Sequence, residues 1–265
     1  MIKLIAADLD GTLVDRQGHI DEVEIEALRR ARDLGLQVVI ATGRMPTIID
    51  HFLDRLDVRP EDPVVGAQGG VIARRDGRIL RVLIIPRDVA EQGAAIAREF
   101  GATPVFYTPN DIVMERVAFS PEQDVFWLGK GLRYDPDALS HLDDDLVKIL
   151  AVHTDPGAVP ELLAAFRQAL GDRADVVRSH HWFVEAVNKE ANKGAAIAWI
   201  AQQMGVDREE VLAIGDADND VSMLRWAGVG VAPGDAAPEA RAAADWIAPP
   251  LGQHPVAAAL ARFLL

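Results

Sequence analysis

An α/β fold with a mostly parallel sheet, interrupted by a second domain, is what this sequence predicts, on three observations. Short and almost wholly apolar runs recur at Ile2 to Ala7, Leu36 to Ala41, Pro63 to Ala67 and Val211 to Ile214, the composition of strands buried on both faces. Helical patterns alternate with these runs, which implies parallel pairing through right-handed crossovers. From Leu83 to Glu185 the texture changes to shorter strand candidates among helices, and then the first texture resumes. The expected domains are therefore a discontinuous core, residues 1–82 and 186–265, and an insertion, residues 83–185, of α+β character.

The first strand ends at Asp8. Asp21 and Glu24 have capping-box spacing, Ile20 and Ile25 can form a hydrophobic staple, and Gly35 stops the helix that these signals start, over roughly Glu22 to Leu34. The second strand delivers Thr42-Gly43-Arg44 to its carboxyl end, and the third delivers Gln68-Gly69-Gly70. In open parallel sheets ligands bind beyond the carboxyl ends of the strands, so these polar motifs converge on one edge. Within the insertion, strands are expected at Thr103 to Thr108, Ile112 to Glu115, Asp124 to Leu128 and Leu146 to Val152, with helices at Asp88 to Phe100 and Pro160 to Leu170. A helix from Lys193 to Met204, stopped by Gly205, leads to the strand that ends in Gly215-Asp216, and shorter strands follow at Val229 to Ala232 and Trp246 to Ala248.

Composition narrows the function. A formal charge of −14 argues against sequence-independent nucleic-acid binding, and an anionic substrate would need local positive charge. No run approaches the ~20 apolar residues of a membrane helix, so no membrane partner is expected. With no cysteine, disulfides and thiolate metal sites are excluded, and a cytoplasmic location is the expectation. The 27 basic residues are overwhelmingly arginine, which gives a lysine at a strategic position extra weight. Asp143-Asp144-Asp145 lacks the spacing of a calcium loop and reads as a solvated turn.

The chemistry-bearing residues lie at the predicted strand ends. An ionised Asp8 can attack phosphorus, and Asp10, two residues on, can protonate the leaving oxygen and later deprotonate water; alone, Asp-Gly is also an ordinary turn. Gly215-Asp216-Ala217-Asp218-Asn219-Asp220 offers oxygen ligands for a hard cation. Asp8, a carbonyl near Asp10 and Asp216 would suffice for Mg2+, with Asp220 assisting. Asn219 and Asp220 can equally cap the helix that follows. Thr42 and the amides beside it, Gly43 included, can bind phosphoryl oxygens. Arg44 is open between a phosphate contact and an ion pair. Lys193, at a helix start, supplies positive charge and is favoured over Lys189 because Gly194 leaves room for a phosphate.

Together these residues resemble the haloacid dehalogenase superfamily: Asp8/Asp10/Thr12, then Thr42, then Lys193, then Gly215-Asp216 with Asp220, in that order. The insertion between the second and third motifs resembles the Cof-type subfamily, as does Val221 through Ala232. The resemblance implies a Rossmann-like core with an inserted α+β cap, magnesium, phosphate contacts from Thr42, Gly43, Lys193 and Asn219, and a small phosphorylated metabolite as substrate, sugar phosphates foremost. Three positions depart from the subfamily: Gln68 in place of Asn, Asp235 in place of Asn, and His254-Pro255-Val256 in place of Asp-Gly-Val.

Cap residues would select the substrate. His180, His181 and Trp182 can stack on a ring or bond a sugar, or can be cap packing, and Glu185 can accept from a hydroxyl. A phosphomutase using the same phosphoenzyme and a non-catalytic phosphate- or nucleotide-binding module are the alternatives to a phosphatase. A monomer or small homo-oligomer is expected.

Overall fold

The computed structural model describes residues 1–129, 131–142 and 145–264. Asp143 and Asp144 of the acidic turn lie outside the described residues. In chain order the elements are β1 (Leu4–Asp8), α1 (Glu22–Asp33), β2 (Gln37–Ala41), α2 (Asp50–Arg55), β3 (Pro63–Gly66), β4 (Val71–Arg74), β5 (Ile79–Val82), α3 (Arg87–Glu99), β6 (Thr103–Tyr107), β7 (Ile112–Met114), α4 (Pro121–Leu128) and β8 (Leu132–Tyr134). There follow α5 (Ala138–His141), β9 (Lys148–Val152), α6 (Val159–Leu170), β10 (Asp175–His180), β11 (Phe183–Val187), α7 (Lys193–Met204), β12 (Val211–Ile214), α8 (Val221–Trp226), β13 (Val229–Ala232), α9 (Pro238–Ala243), β14 (Trp246–Ile247) and α10 (Pro255–Leu264). The chain divides into two compact units, residues 1–81 with 192–265, and residues 82–191.

The first unit is built on a sheet of order β14-β13-β12-β1-β2-β3-β4-β5 among the described residues. The pairs from β14 through β3 are parallel, and β4 turns back antiparallel on β3. Alternation along each strand splits the core into two layers. Ile5, Ala7, Val38, Ile40 and Val64 pack with Leu28 of α1, Phe52 of α2 and Leu260 of α10, while Leu4, Ala6, Val39, Ala41 and Val65 pack with Ile197 of α7 and Leu224 of α8. Because both faces are covered, the strands read as continuous apolar runs. The chain leaves β1 for β2 on one side and places β12 on the other, so the strand order reverses at β1. In open sheets of this kind ligands bind at such a switch point, here the carboxyl end of β1.

At α1, Asp21 caps as expected, accepting from Val23 N at 2.8 Å. Glu24 does not complete the box. Its carboxylate is buried and accepts from Val256 N (3.1 Å) and Ala257 N (2.6 Å), closing the start of α10 instead. The His254-Pro255 departure serves the same helix: His254 takes φ 60° and Pro255 opens α10.

The second unit carries a sheet of order β10-β11-β9-β6-β7-β8, with α3 and α6 packed on Phe106, Ile149, Val184 and Ala186. It runs to Ala191, past the expected edge at Glu185, because β11 pairs with β9 and β10 inside it. Asp124 to Leu128, expected as a strand, is helical in α4. Ser120 caps it by accepting from Gln123 N, Pro121 occupies the first turn, and the buried Asp124 carboxylate is held by Ala118 N and Phe119 N. A start signal of Ser-Pro outweighs the apolar run that follows.

Candidate active site

Four strand ends and one helix start of the first unit supply the site. Asp8 closes β1 and is 4% exposed. Gly11 then turns the chain with φ 91°, and a Cβ there would lie 2.4 Å from an Asp216 carboxylate oxygen, so only glycine lets the β1 and β12 loops approach this closely. Thr12, fully buried, donates its hydroxyl to Asp216 Oδ1 at 3.1 Å. Lys193, capped from behind by Asn192, begins α7 and is 0% exposed. Its ammonium donates to Asp8 Oδ1 at 2.5 Å and to Asp220 Oδ1 at 2.6 Å. Lys189, the competing candidate, is exposed in the other unit.

Asp220 organises the β12 loop. Its Oδ2 accepts from Asp216 N and Ala217 N, both at 3.0 Å, while its Oδ1 holds the lysine. Gly215 makes room for this, since a Cβ there would lie 2.5 Å from Cβ and Cγ of Asp220. Gly194 has a different use from the one expected: a Cβ there would lie 2.5 Å from Ser222 O, so its missing side chain lets the α7 and α8 starts touch rather than admitting a phosphate.

The electrostatics are those of a site short of positive charge. Burial, then the Asp220 carboxylate, push the Asp8 carboxyl well above its ordinary range, against the pull of Lys193. Burial and Asp220 likewise raise Asp216 to about 6. Burial alone would lower the Lys193 ammonium, but Asp220 and Asp8 outweigh it and the group is raised. Carboxylate oxygens of Asp8, Asp216 and Asp220 lie within 4.8 Å of one another. An all-oxygen donor set with excess negative charge fits a hard divalent cation.

Asp10 faces outward. Arg44 donates to both of its oxygens, from Nε at 2.9 Å and Nη2 at 2.6 Å, so the structure resolves Arg44 as an ion pair. With that carboxylate engaged, what Asp10 can add to a cation is its carbonyl. Thr42 is buried and accepts from Arg44 N at 3.1 Å. Asn219 is exposed and donates to Gln68 Oε1 at 2.9 Å. Asp235 accepts from Leu251 N at 3.0 Å, which gives this departure a local structural use.

Within the second unit, His180, His181 and Trp182 belong to an aromatic cluster with Trp127 and Phe119, at ring separations of 3.9 to 5.3 Å. Glu185 is buried and bonded to Lys148 Nζ at 2.6 Å, and that ammonium lies 4.3 Å from the Tyr107 ring centroid. A carboxylate so engaged is not open to a sugar hydroxyl as expected from sequence. Lys148, Tyr107 and Trp127 are not singled out from sequence, because each lies inside a segment that reads as an ordinary strand and carries no motif of its own.

The sequence profile of the haloacid dehalogenase-like hydrolases matches residues 5–260. The chain belongs to this family. It is 28% identical to the HMP-PP phosphatase of Escherichia fergusonii over 91% of this chain and 88% of that protein. A haloacid dehalogenase-like hydrolase from Bacteroides thetaiotaomicron superposes with a TM-score of 0.89 at 29% identity, covering 99% of each chain. The subclass IIB sugar phosphatase BT4131 superposes with a TM-score of 0.82 at 25% identity over 98% of each. Like these haloacid dehalogenase-like relatives, the chain is a hydrolase of the phosphoric monoester class with a Rossmann-like core and cap. No described helix is long and apolar enough to cross a membrane.

Proposed function

We propose that this chain is a magnesium-dependent phosphatase that takes phosphate from a small phosphorylated metabolite, sugar phosphates foremost, through an aspartyl-phosphate on Asp8. The observation that carries the reading is Lys193, fully buried between Asp8 and Asp220 at the start of α7. A buried ammonium tied to the first strand end orients a nucleophilic carboxylate and leaves positive charge where a phosphoryl group arrives.

In the first step a carboxylate oxygen of Asp8 attacks phosphorus, the bond from phosphorus to the ester oxygen breaks, and Asp10 passes a proton to that oxygen. In the second, water attacks phosphorus, Asp10 takes its proton, and the bond to Asp8 breaks. Asp10 must exchange one of its two Arg44 bonds to do this, which its half-exposed position allows. Thr42, the Gly43 amide and Asn219 would hold the phosphoryl oxygens. Asp8, Asp216, Asp220 and the Asp10 carbonyl would hold Mg2+, which when bound offsets the charge of phosphate against three carboxylates.

Selection of the leaving group falls to His180, His181 and Trp182, whose rings form one cluster in the second unit. The names of the relatives support a small-metabolite substrate, and the absence of cysteine favours a cytoplasmic enzyme. The test is release of inorganic phosphate from an aryl phosphate and a panel of sugar phosphates, with Mg2+ and with chelator. Phosphate release that needs Mg2+ is expected; no release from any ester, or equal release under chelation, contradicts the reading.

A further inference from the structure

The turn after β3 takes a conformation that its residues do not favour. Ala67 and Gln68 both have left-handed backbone, φ 50° and 59°, which is costly for residues that carry a Cβ. Packing imposes it. Ala67 N donates to Arg44 O at 2.9 Å, Gln68 N to Thr42 O at 3.3 Å, and a Cβ on Gly69 would lie 2.4 Å from Asn192 O. The turn is wedged between the loop after β2 and the start of α7.

The result is a buried primary amide that bridges two phosphate-binding loops. Gln68 Oε1 accepts from Asn219 Nδ2 at 2.9 Å, which fixes the amide's orientation. The Nε2 end lies so close to Gly43 that a Cβ there would be 2.4 Å away. No described residue accepts from Nε2. Nε2 is not sealed from solvent, so this oriented donor, its amide oxygen already engaged, stands open beside Thr42 and Gly43 to an incoming acceptor.

We propose that Gln68 is a further phosphate-binding residue: its Nε2 donates to an oxygen of the phosphoryl group held at Thr42 and Gly43, and Asn219 holds that amide in place. The inference rests on the phosphatase reading for where the phosphoryl group sits. Gly43 is required on the same ground, since a side chain there would occupy the position of Nε2.

The experiment measures inhibition by inorganic phosphate, KM for an aryl phosphate and Tm in three proteins: wild type, Gln68→Met and Gln68→Asn. Gln68→Met keeps the volume and loses both hydrogen bonds, and is expected to raise KM and the phosphate inhibition constant about tenfold or more, as for a lost bond to a charged group. Asparagine tolerates left-handed backbone, so Gln68→Asn is expected to keep or raise Tm. Its amide is one methylene short, and it too should bind phosphate more weakly. Unchanged phosphate inhibition in either folded variant overturns the proposal, including when Tm falls, which would assign Gln68 to packing alone. If Gln68→Met does not fold, Gln68→Asn decides by the same measure. A wild-type protein that binds phosphate but hydrolyses no ester sinks the phosphatase reading and leaves the Gln68 contact testable by phosphate titration.

Discussion

Replacing Lys193 by Met removes the one ammonium that sits between two buried carboxylates, with side chains 0%, 6% and 0% exposed for Lys193, Asp8 and Asp220. Methionine fills similar volume, so the main loss is charge. Removing one partner of a buried ion pair costs about 3–5 kcal/mol, because the charge left behind is uncompensated. At about 2–4 °C per kcal/mol for a domain of 150–250 residues, the transition of the first unit should fall by roughly 6–20 °C. Turnover should fall by at least about a hundredfold, the scale seen when a fixed charge-stabilising donor is lost. Differential scanning calorimetry and phosphate release read the two effects. The cause is separated from simple packing by Lys193→Met/Asp220→Asn, in which one orphaned charge is also removed. Part of the lost Tm should return, with non-additivity of about 0.5–3 kcal/mol. A Tm within about 2 °C of wild type for Lys193→Met, or strict additivity in the double variant, would refute the charge-balance argument.

Two further outcomes are expected. Gly215→Ala should displace Asp220 and with it the amides of Asp216 and Ala217, costing about 1–3 kcal/mol by overpacking and about a hundredfold in kcat by misplacement; unchanged kinetics would contradict the role of that glycine. His180 is held down to about 4 by burial, then His181 and Arg178, so between about 6.5 and about 4 the unfolded chain binds more protons than the folded one. Stability should therefore fall as pH drops through that window, and Tm measured against pH should fall less steeply in His180→Gln; parallel curves for the two proteins would contradict this.

The core was legible because its signals are local and agree with one another. Asp8 ends, and Thr42 and Gly215-Asp216 follow, a short apolar run with the composition of a doubly covered strand, and Lys193 follows Asn192 at a helix start. Register did the rest, since parallel strands bring their carboxyl ends to one edge. What was not legible depends on contacts distant in sequence. Glu24 looks like half of a capping box, and only the fold shows that it closes α10, more than two hundred residues away. Gln68 reads as a departure from a motif until the Asn219 bond and the close approach of Gly43 give it a use. In the second unit strands are short, and α4 is apolar enough at Val125 to Leu128 to pass for a strand unless Ser120-Pro121 is weighed first. Glu185 carries no sign in sequence that Lys148 will engage it.

The most direct measurement concerns Asp8 itself. The protein is acid-quenched during turnover of a phosphate monoester with Mg2+, and the peptide that carries Asp8 is examined by mass spectrometry beside Asp8→Asn. A phosphoryl group on Asp8 in the wild type, with no phosphate release and an unchanged fold in the variant, is the expected result. Rapid turnover with Asp8 never modified, and near-normal activity in Asp8→Asn, would contradict its assignment as the nucleophile.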